Sequence, residues 1–365
     1  MRIAMIGSRG IPARVGGVER VVEALARELC ARSHEVLVYG RGWYLAGAGP
    51  PAAGKLIVTA GLKGKHLDTI THTATAMWDV LRRGVDVVHV HSPGPAILSW
   101  IPRLASLPIV LTVHAPDWRR EKWSAPAKVM LRLGLGCGMR LADAVTAVSA
   151  PLAAELTEKF GREVVHVPNG VDVPGPQQAG GIARWNLRPD GYVLYVGRIV
   201  PEKRLDLLLS AWSRVATERK LVVVGELDSS RYCRACKALG AGVLFVGPQY
   251  GVTLAELYAG AALVVQPSVL EGMSLVLLEA AAHGRCILAA DIRENRSVFG
   301  DSILYFSKDR IDELIREMRR SLSEDSLRED LGRKANAQVA REYAWAHAAS
   351  AMEELYNRVV RGRRR

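Results

Sequence analysis

Apolar residues along the chain fall into two alternating patterns. Short runs rich in β-branched residues, RIAMIG at 2–7, EVLVYG at 35–40, VDVVHVH at 85–91, PIVLTVH at 108–114 and DAVTAVS at 143–149, read as strands buried on both faces. Between the first two lies VERVVEALARELCARSHE at 18–35, whose apolar positions recur at helical spacing. Strands alternating with helices predict a parallel sheet covered by helices. Pro and Gly then cluster in VPNGVDVPGPQQAGG at 167–181, a stretch without hydrophobic periodicity and the best linker candidate. After it the pattern restarts: YVLYVG is a strand, RIVPEKR a loop, LDLLLSAWSRVATE a helix, and LVVVGE, VLFVG and LVVQPS are further strands. The expected fold is α/β, with two Rossmann-like domains whose parallel sheets face each other across a cleft. Their bounds are 1–170 and 171–342, followed by a helix and basic tail at 343–365 that packs back toward the first domain.

A chain of 365 residues suits two domains, since single cores stop growing near about 250 to 300 residues. Hydrophobic residues at 49% and charged ones at 24% exclude disordered and fibrous classes. The net charge of +12 suggests a polyanionic partner: nucleic acid, phosphate or an anionic membrane. Five scattered cysteines do not make a disulfide framework, which points to a reducing cytosol. Cys233 and Cys236 form a C-x-x-C with no second pair, and are read as ordinary helical thiols. The amino-terminal apolar run is too short for a secretory signal, and no apolar stretch reaches the length of a bilayer.

The most specific constellation is QPSVLEGMSLVLLEAAAHG at 266–284. A strand ends near Gln266, a loop carries Glu271, and a helix begins at Ser274, whose hydroxyl is expected to cap it. Glu279 lies in the second turn. The free amides of Met273, Ser274 and Leu275 form an anion site fit for a phosphate, while carboxylates grip neutral hydroxyls. Phosphate at the helix end and sugar hydroxyls on two glutamates describe a nucleotide sugar. In VGRIVPEKR, Arg198 and Lys203 flank Pro201 at a strand end and can neutralise a diphosphate leaving group without a metal. In SRGIPARVGGVE, Gly16 and Gly17 precede a helix and let backbone amides approach a phosphate. That stretch is neither a dinucleotide fingerprint nor a P-loop.

Taken together these residues resemble the family 4 glycosyltransferases, retaining enzymes of the two-domain GT-B fold. The resemblance spans nearly the whole chain and rests on GGVE at 16–19, TVHAPDW at 112–118, ADAVTAVS at 142–149, VPNGVDV at 167–173, VGRIVPEK at 196–203, the Glu271 and Glu279 pair, and ADIRENRSV at 290–298. SRGIPARVGGVE, GKHLDTITHT at 64–73 and DWRREKW at 117–123 look like a bacterial subgroup linked to polysaccharide assembly. The resemblance implies that Glu279 holds the nucleotide ribose and Glu271 the donor-sugar hydroxyls, with Gly272, Met273, Ser274 and Leu275 on the donor. Arg198 and Lys203 would bind the diphosphate, Gly16 and Gly17 would close over it, and His114 would contact the sugar near the reacting centre. No metal or cofactor is implied, and no Asp-x-Asp is present. Ser274 and Val276 stand where the family often has Gly and Pro, which leaves the donor sugar open.

His89 and His91 share one strand face and His114 ends a neighbouring strand; three histidines are a zinc-ligand candidate, but strand-end histidines are more often hydrogen-bonded structural groups. The basic residues Arg119, Arg120, Lys122, Lys128, Arg132 and Arg140, interleaved with Trp118, Trp123, Met130, Leu131 and Leu133, are expected to form an acceptor or membrane face, centred on Trp118, Arg119, Arg120 and Lys122. Its amphipathic period is broken by Pro126 and several glycines. The tail VVRGRRR is either a second membrane contact or disordered. The resulting expectation is a cytosolic retaining glycosyltransferase, peripheral on the inner membrane face. It moves a hexose from a UDP-, GDP- or dTDP-linked sugar to a lipid-linked or saccharide acceptor. A nucleotide-sugar epimerase of the same fold is the alternative, and a nucleic-acid-binding protein a remote one, since no nucleic-acid-binding motif is present.

Overall fold

The computed structural model describes residues 1–364 except 15, 46–48, 63, 65, 66 and 176–180. The chain divides into two compact units, Met1–Gly170 with Trp345–Arg365, and Val171–Ala344. In chain order the first contains β1 (Arg2–Ile6), α1 (Gly17–Ala31), β2 (Glu35–Arg41), α2 (Gly42–Leu45), β3 (Lys55–Thr59), α3 (Leu67–Val80), β4 (Val87–His91), α4 (Pro93–Ala96), α5 (Trp100–Leu104), β5 (Ile109–Val113), α6 (Ala125–Leu141), β6 (Ala144–Ala147), α7 (Ala150–Phe160) and β7 (Val165–His166). The second contains β8 (Tyr192–Val196), α8 (Leu205–Trp212), β9 (Lys220–Val224), α9 (Arg231–Leu239), β10 (Leu244–Gly247), α10 (Gly251–Ala259), β11 (Leu263–Gln266), α11 (Leu275–Ala282), β12 (Ile287–Ala290), α12 (Arg293–Phe299), β13 (Leu304–Phe306), α13 (Ile311–Ser323) and α14 (Asp325–Glu342). The last helix, α15 (Trp345–Arg364), belongs to the first unit.

The first sheet runs β3-β2-β1-β4-β5-β6-β7 and the second β10-β9-β8-β11-β12-β13, all parallel. Each is doubly wound, and the strand order reverses between β1 and β4 in one and between β8 and β11 in the other. Ligand crevices form outside the carboxyl ends of strands at such switch points. Every residue of β4, β5 and β8 is buried, as the continuous apolar runs require. Val90, Leu111 and Val145 stack in register across β4, β5 and β6 within one core. Val193, Leu221 and Leu263 do the same across β8, β9 and β11.

Two sequence expectations need correction. The glycines in α6 do not interrupt it. The helix is continuous over 17 residues, with Pro126 in its first turn, where a missing N–H costs nothing. A Cβ at Gly134 would stand 2.1 Å from the Pro93 carbonyl oxygen, and one at Gly138 would stand 2.4 Å from Leu111 Cδ2, so these glycines let α6 lie close on α4 and β5. The helix expected over 205–218 ends at Trp212, where Arg214 and Val215 donate to carbonyls three residues back and tighten the chain into turns. The stretch read as a linker contains the boundary between the two units at Gly170 and Val171; Val171 forms a parallel bridge with Ala344, and residues 176–180 lie outside the described ones.

Helix α15 lies on α1 and is tied into the first unit by polar contacts along its length. Arg32 donates to Ser350 Oγ at 2.7 Å and to the Ala346 carbonyl at 2.8 Å, and His34 Nε2 meets Glu353 Oε1 at 2.9 Å. At the far end Arg363 is paired with Asp143 at 2.8 Å. The basic tail is therefore helical to Arg364 and anchored at Arg363, rather than disordered; Arg365 lies outside the described residues.

Candidate active site

In the second unit the switch-point strands bring two loops together. The loop after β8 turns through a short 3-10 segment, Pro201–Lys203, and the Glu202 carbonyl accepts a hydrogen bond from Val269 N in the loop after β11 at 3.0 Å. Lys203 Nζ thereby reaches Glu271 Oε1 at 2.5 Å, with the two side chains only 13% and 9% exposed. The sequence placed these residues on different parts of a ligand and did not anticipate that they pair. Arg198 is exposed, and its carbonyl accepts from the Tyr195 hydroxyl at 3.3 Å. Burial holds that phenol well above its usual range, so it stays protonated and a donor.

Helix α11 begins at Leu275 with Ser274 at its N-cap, but the Ser274 hydroxyl does not cap it. Ser274 Oγ is buried with no hydrogen-bond partner, as are Ser268 Oγ and both polar atoms of the Gln266 side chain. Unsatisfied buried groups are costly. Four such atoms along one strand-end segment, beside the N-terminal amides of an eight-residue helix, make a polar surface suited to a ligand rich in acceptors and hydroxyls. Gly272 and Met273 are buried in the same loop. Glu279 is half-buried on the helix and accepts from the Tyr258 hydroxyl at 3.0 Å. Tyr258 stacks on His283, whose Nδ1 lies 2.8 Å from the Glu279 carbonyl oxygen. Tyr258 was invisible as a site residue because it stands 21 positions before Glu279, across a stretch of unrelated pattern.

In the first unit Gly16 caps α1 with φ at 109°, a left-handed backbone that favours glycine, and Gly17 opens the helix. A Cβ at Gly16 would lie 2.2 Å from Glu19 Oε2 and 2.5 Å from Arg9 Nη2. That space is filled by a charge cluster. Glu19, 5% exposed, accepts from the Arg9 backbone N–H and Nε, both at 3.0 Å. Neither Arg9 nor Glu19 was singled out from the sequence, although the alternation of Arg and Glu around GG was a usable signal.

The three histidines form one buried chain. His91 Nδ1 meets His114 Nε2 at 3.0 Å with the rings stacked, and His89 lies against His91 at 4.0 Å between centroids. His89 Nε2 contacts Thr112 Oγ1 and its Nδ1 contacts the Tyr356 hydroxyl of α15, both at 2.7 Å. With its nitrogens so engaged, His89 is a structural group. Burial pushes His89 down to about 3 and His114 down to about 4, the latter partly offset by Glu19; burial and its two neighbours hold His91 well below the usual range. All three are neutral near pH 7. Among the described residues no group of His, Cys, Asp or Glu is placed to hold a metal ion, and Cys233 and Cys236 are buried free thiols on α9.

The expected acceptor or membrane face changes most. Trp118 is 4% exposed and belongs to the core of the first unit, because its 3-10 turn points the indole inward. Arg119 pairs with Glu155 at 2.6 Å and Arg120 with Asp117 at 2.7 Å. Lys122 is exposed beside Trp123, its Nζ 4.6 Å from the ring centroid. Of the stretch 64–73, Lys65 and His66 lie outside the described residues; Asp68 is buried and binds Arg41 Nη1 at 2.7 Å and Trp43 Nε1 at 3.0 Å. Among the described residues no helix is long and apolar enough to cross a membrane.

The family model described as Glycosyltransferase Family 4 matches residues 15–173, and that described as Glycosyl transferases group 1 matches residues 184–338. A glycogen synthase of Mycobacterium tuberculosis is 26% identical over 415 residues, covering 100% of this chain and 96% of that protein. A phosphatidyl-myo-inositol mannosyltransferase of the same species is 29% identical over 394 residues, covering 99% and 97%. The structure of Anabaena Alr3699/HepE in complex with UDP and glucose matches with a TM-score of 0.80 at 16% identity, over 98% of this chain and 99% of that one, a likeness of fold. Two doubly wound sheets with these matches define a GT-B glycosyltransferase. The chain belongs to glycosyltransferase family 4.

Proposed function

We propose that this enzyme transfers a hexose from a nucleoside-diphosphate sugar to a lipid-linked or saccharide acceptor in bacterial polysaccharide or glycoconjugate assembly, keeping the anomeric configuration and using no metal. The observation that carries the reading is the second unit's strand-end surface, where Glu271, Lys203, Glu279 and unsatisfied Gln266, Ser268 and Ser274 surround the start of α11. In this reading Glu279 takes the ribose and Glu271 the sugar hydroxyls. The amides of Met273, Ser274 and Leu275 with Gly272 take phosphate and sugar, and Lys203 and Arg198 neutralise the departing diphosphate. On the first unit, Gly16 and Gly17 are assigned to the diphosphate and His114 to the sugar near the reacting carbon. A neutral His114 donates or accepts a hydrogen bond without adding charge.

Support for the substrates comes from the relatives' names: one acts on phosphatidyl-myo-inositol with mannose, another makes glycogen, and the Anabaena protein was captured with UDP and glucose. A lipid-linked acceptor places the enzyme on the cytosolic face of a membrane. The test is transfer of labelled hexose from UDP-, GDP- and dTDP-linked donors into a bacterial lipid extract, with the product anomer read by NMR. Glu279→Ala weakens donor binding, and Glu271→Ala mainly lowers turnover. Wild-type rates in both variants remove the assignment, and an epimerised donor without acceptor replaces transfer by epimerisation.

A further inference from the structure

Helix α6 is amphipathic in an unusual sense. Its inner side buries Gly134, Leu135, Gly138 and Met139. At 100° per residue the opposite side is centred on Val129 and Leu133, one turn apart, with Met130 beside them. These three are 51%, 54% and 47% exposed. The outward face of a helix in water carries charged and polar residues instead. The neighbouring α5, in contact with α6, adds Trp100 at 44% and Leu104 at 78% exposure.

Charge distinguishes this ridge from an ordinary apolar patch. Residues 122–142 contain four cations, Lys122, Lys128, Arg132 and Arg140, and no carboxylate. Arg132 is exposed and Lys128 half-buried, both flanking the apolar ridge on one side. Lys128, Arg132 and Arg140 have no ion-pair partner among the described residues. A protein partner with an apolar groove would not call for an acid-free basic flank, and a nucleic acid would not call for the apolar ridge. Apolar side chains at the boundary with long cations beside them are what a bilayer of acidic lipids rewards.

We propose that the outward ridge of α6, Val129, Met130 and Leu133 with Lys128 and Arg132 beside it, is the surface by which the first unit docks on an anionic lipid bilayer. The proposal rests on the lipid-linked acceptor reading and names its surface, in place of the segment around Trp118. The experiment is sedimentation of the full chain with vesicles of phosphatidylcholine alone or with about one third phosphatidylglycerol. The wild type sediments with the acidic vesicles only, and less as salt rises. Lys128→Ala with Arg132→Ala lowers partition by about fivefold for each charge. Val129→Asp with Leu133→Asp abolishes binding at unchanged melting temperature, and Arg119→Ala with Arg120→Ala changes it less than about twofold.

Equal binding to both vesicles, no binding to either, or wild-type binding by the Val129→Asp/Leu133→Asp variant overturns the proposal. So does a dimer that this variant dissolves, since the ridge would then be covered by a second copy. Stabilisation by nucleotide sugars without vesicles is measured in parallel. That assay reports on the transferase reading alone, so failure of either idea is recognised separately.

Discussion

Lys203→Ala tests the second unit's polar centre most sharply. Lys203 and Glu271 meet at 2.5 Å with side chains 13% and 9% exposed, so neither is screened as a surface pair would be. Removing one partner of a buried pair costs about 3 to 5 kcal/mol, because the remaining charge stays in a poor solvent. Glu271 keeps further interactions, which places the expected cost near 3 kcal/mol at pH 8. For a unit of this size that is a fall of about 6 to 12 °C in the melting transition. The loss depends on pH in a definite direction. Without its lysine, the buried Glu271 carboxyl titrates above its unfolded value, so the folded variant binds the extra proton and is relatively more stable in acid. The deficit against wild type is therefore small near pH 4 and grows as pH rises. Differential scanning calorimetry of wild type, Lys203→Ala and Lys203→Ala/Glu271→Gln at pH 5 and pH 8 reads it directly. The double variant should recover part of the loss at pH 8. A single variant within about 2 °C of wild type at pH 8, or a deficit that grows toward acid, refutes the argument.

Two further perturbations address the first unit. Gly134→Ala is expected to destabilise by about 1 to 3 kcal/mol, because its Cβ meets the Pro93 carbonyl oxygen at 2.1 Å; Gly136→Ala, with nothing within 4 Å, should stabilise by up to about 1 kcal/mol. Equal melting temperatures for the two would contradict the packing of α6. The buried histidines set an acid limit: their folded values lie below the unfolded one, so stability present above about pH 6.5 is lost as pH falls toward 4. With three such groups the slope reaches up to about 4 kcal/mol per pH unit. A urea midpoint for the first unit that stays flat from pH 6.5 to 4.5 would count against their neutral burial.

How much of this was legible in the sequence depends on how local the cause is. The runs RIAMI, VVHVH, IVLTV and YVLYV announced strands because each is dominated by apolar and β-branched residues and stops at a Gly or His. Strand β12, ILAA, and β13, LYF, passed unnoticed because they are short and their apolar residues do not alternate or cluster by type. The linker candidate and the helix start at Ser274 followed from backbone chemistry. The missing cap at Ser274 did not, because which way a hydroxyl turns is decided by neighbours from other elements. Trp118 shows the same limit: Trp among cations reads as an interfacial residue until the turn at Asp117–Arg119 directs the ring into the core. Partnerships across long separations, Tyr356 with His89, Tyr258 with Glu279 and Lys203 with Glu271, are set by strand order and leave no periodic trace.

The central claim is that the second unit binds a nucleoside-diphosphate sugar through Glu279 and the start of α11. Thermal shift of wild type and Glu279→Ala across UDP, GDP and dTDP and their hexose conjugates tests it without knowledge of the acceptor. One base should stabilise the wild type by about 2.7 kcal/mol at one hundred times its Kd, and the variant should need a substantially higher concentration for the same shift. If no nucleotide sugar in the panel moves the transition at millimolar concentration, or if Glu279→Ala responds as the wild type does, the account of the site is wrong.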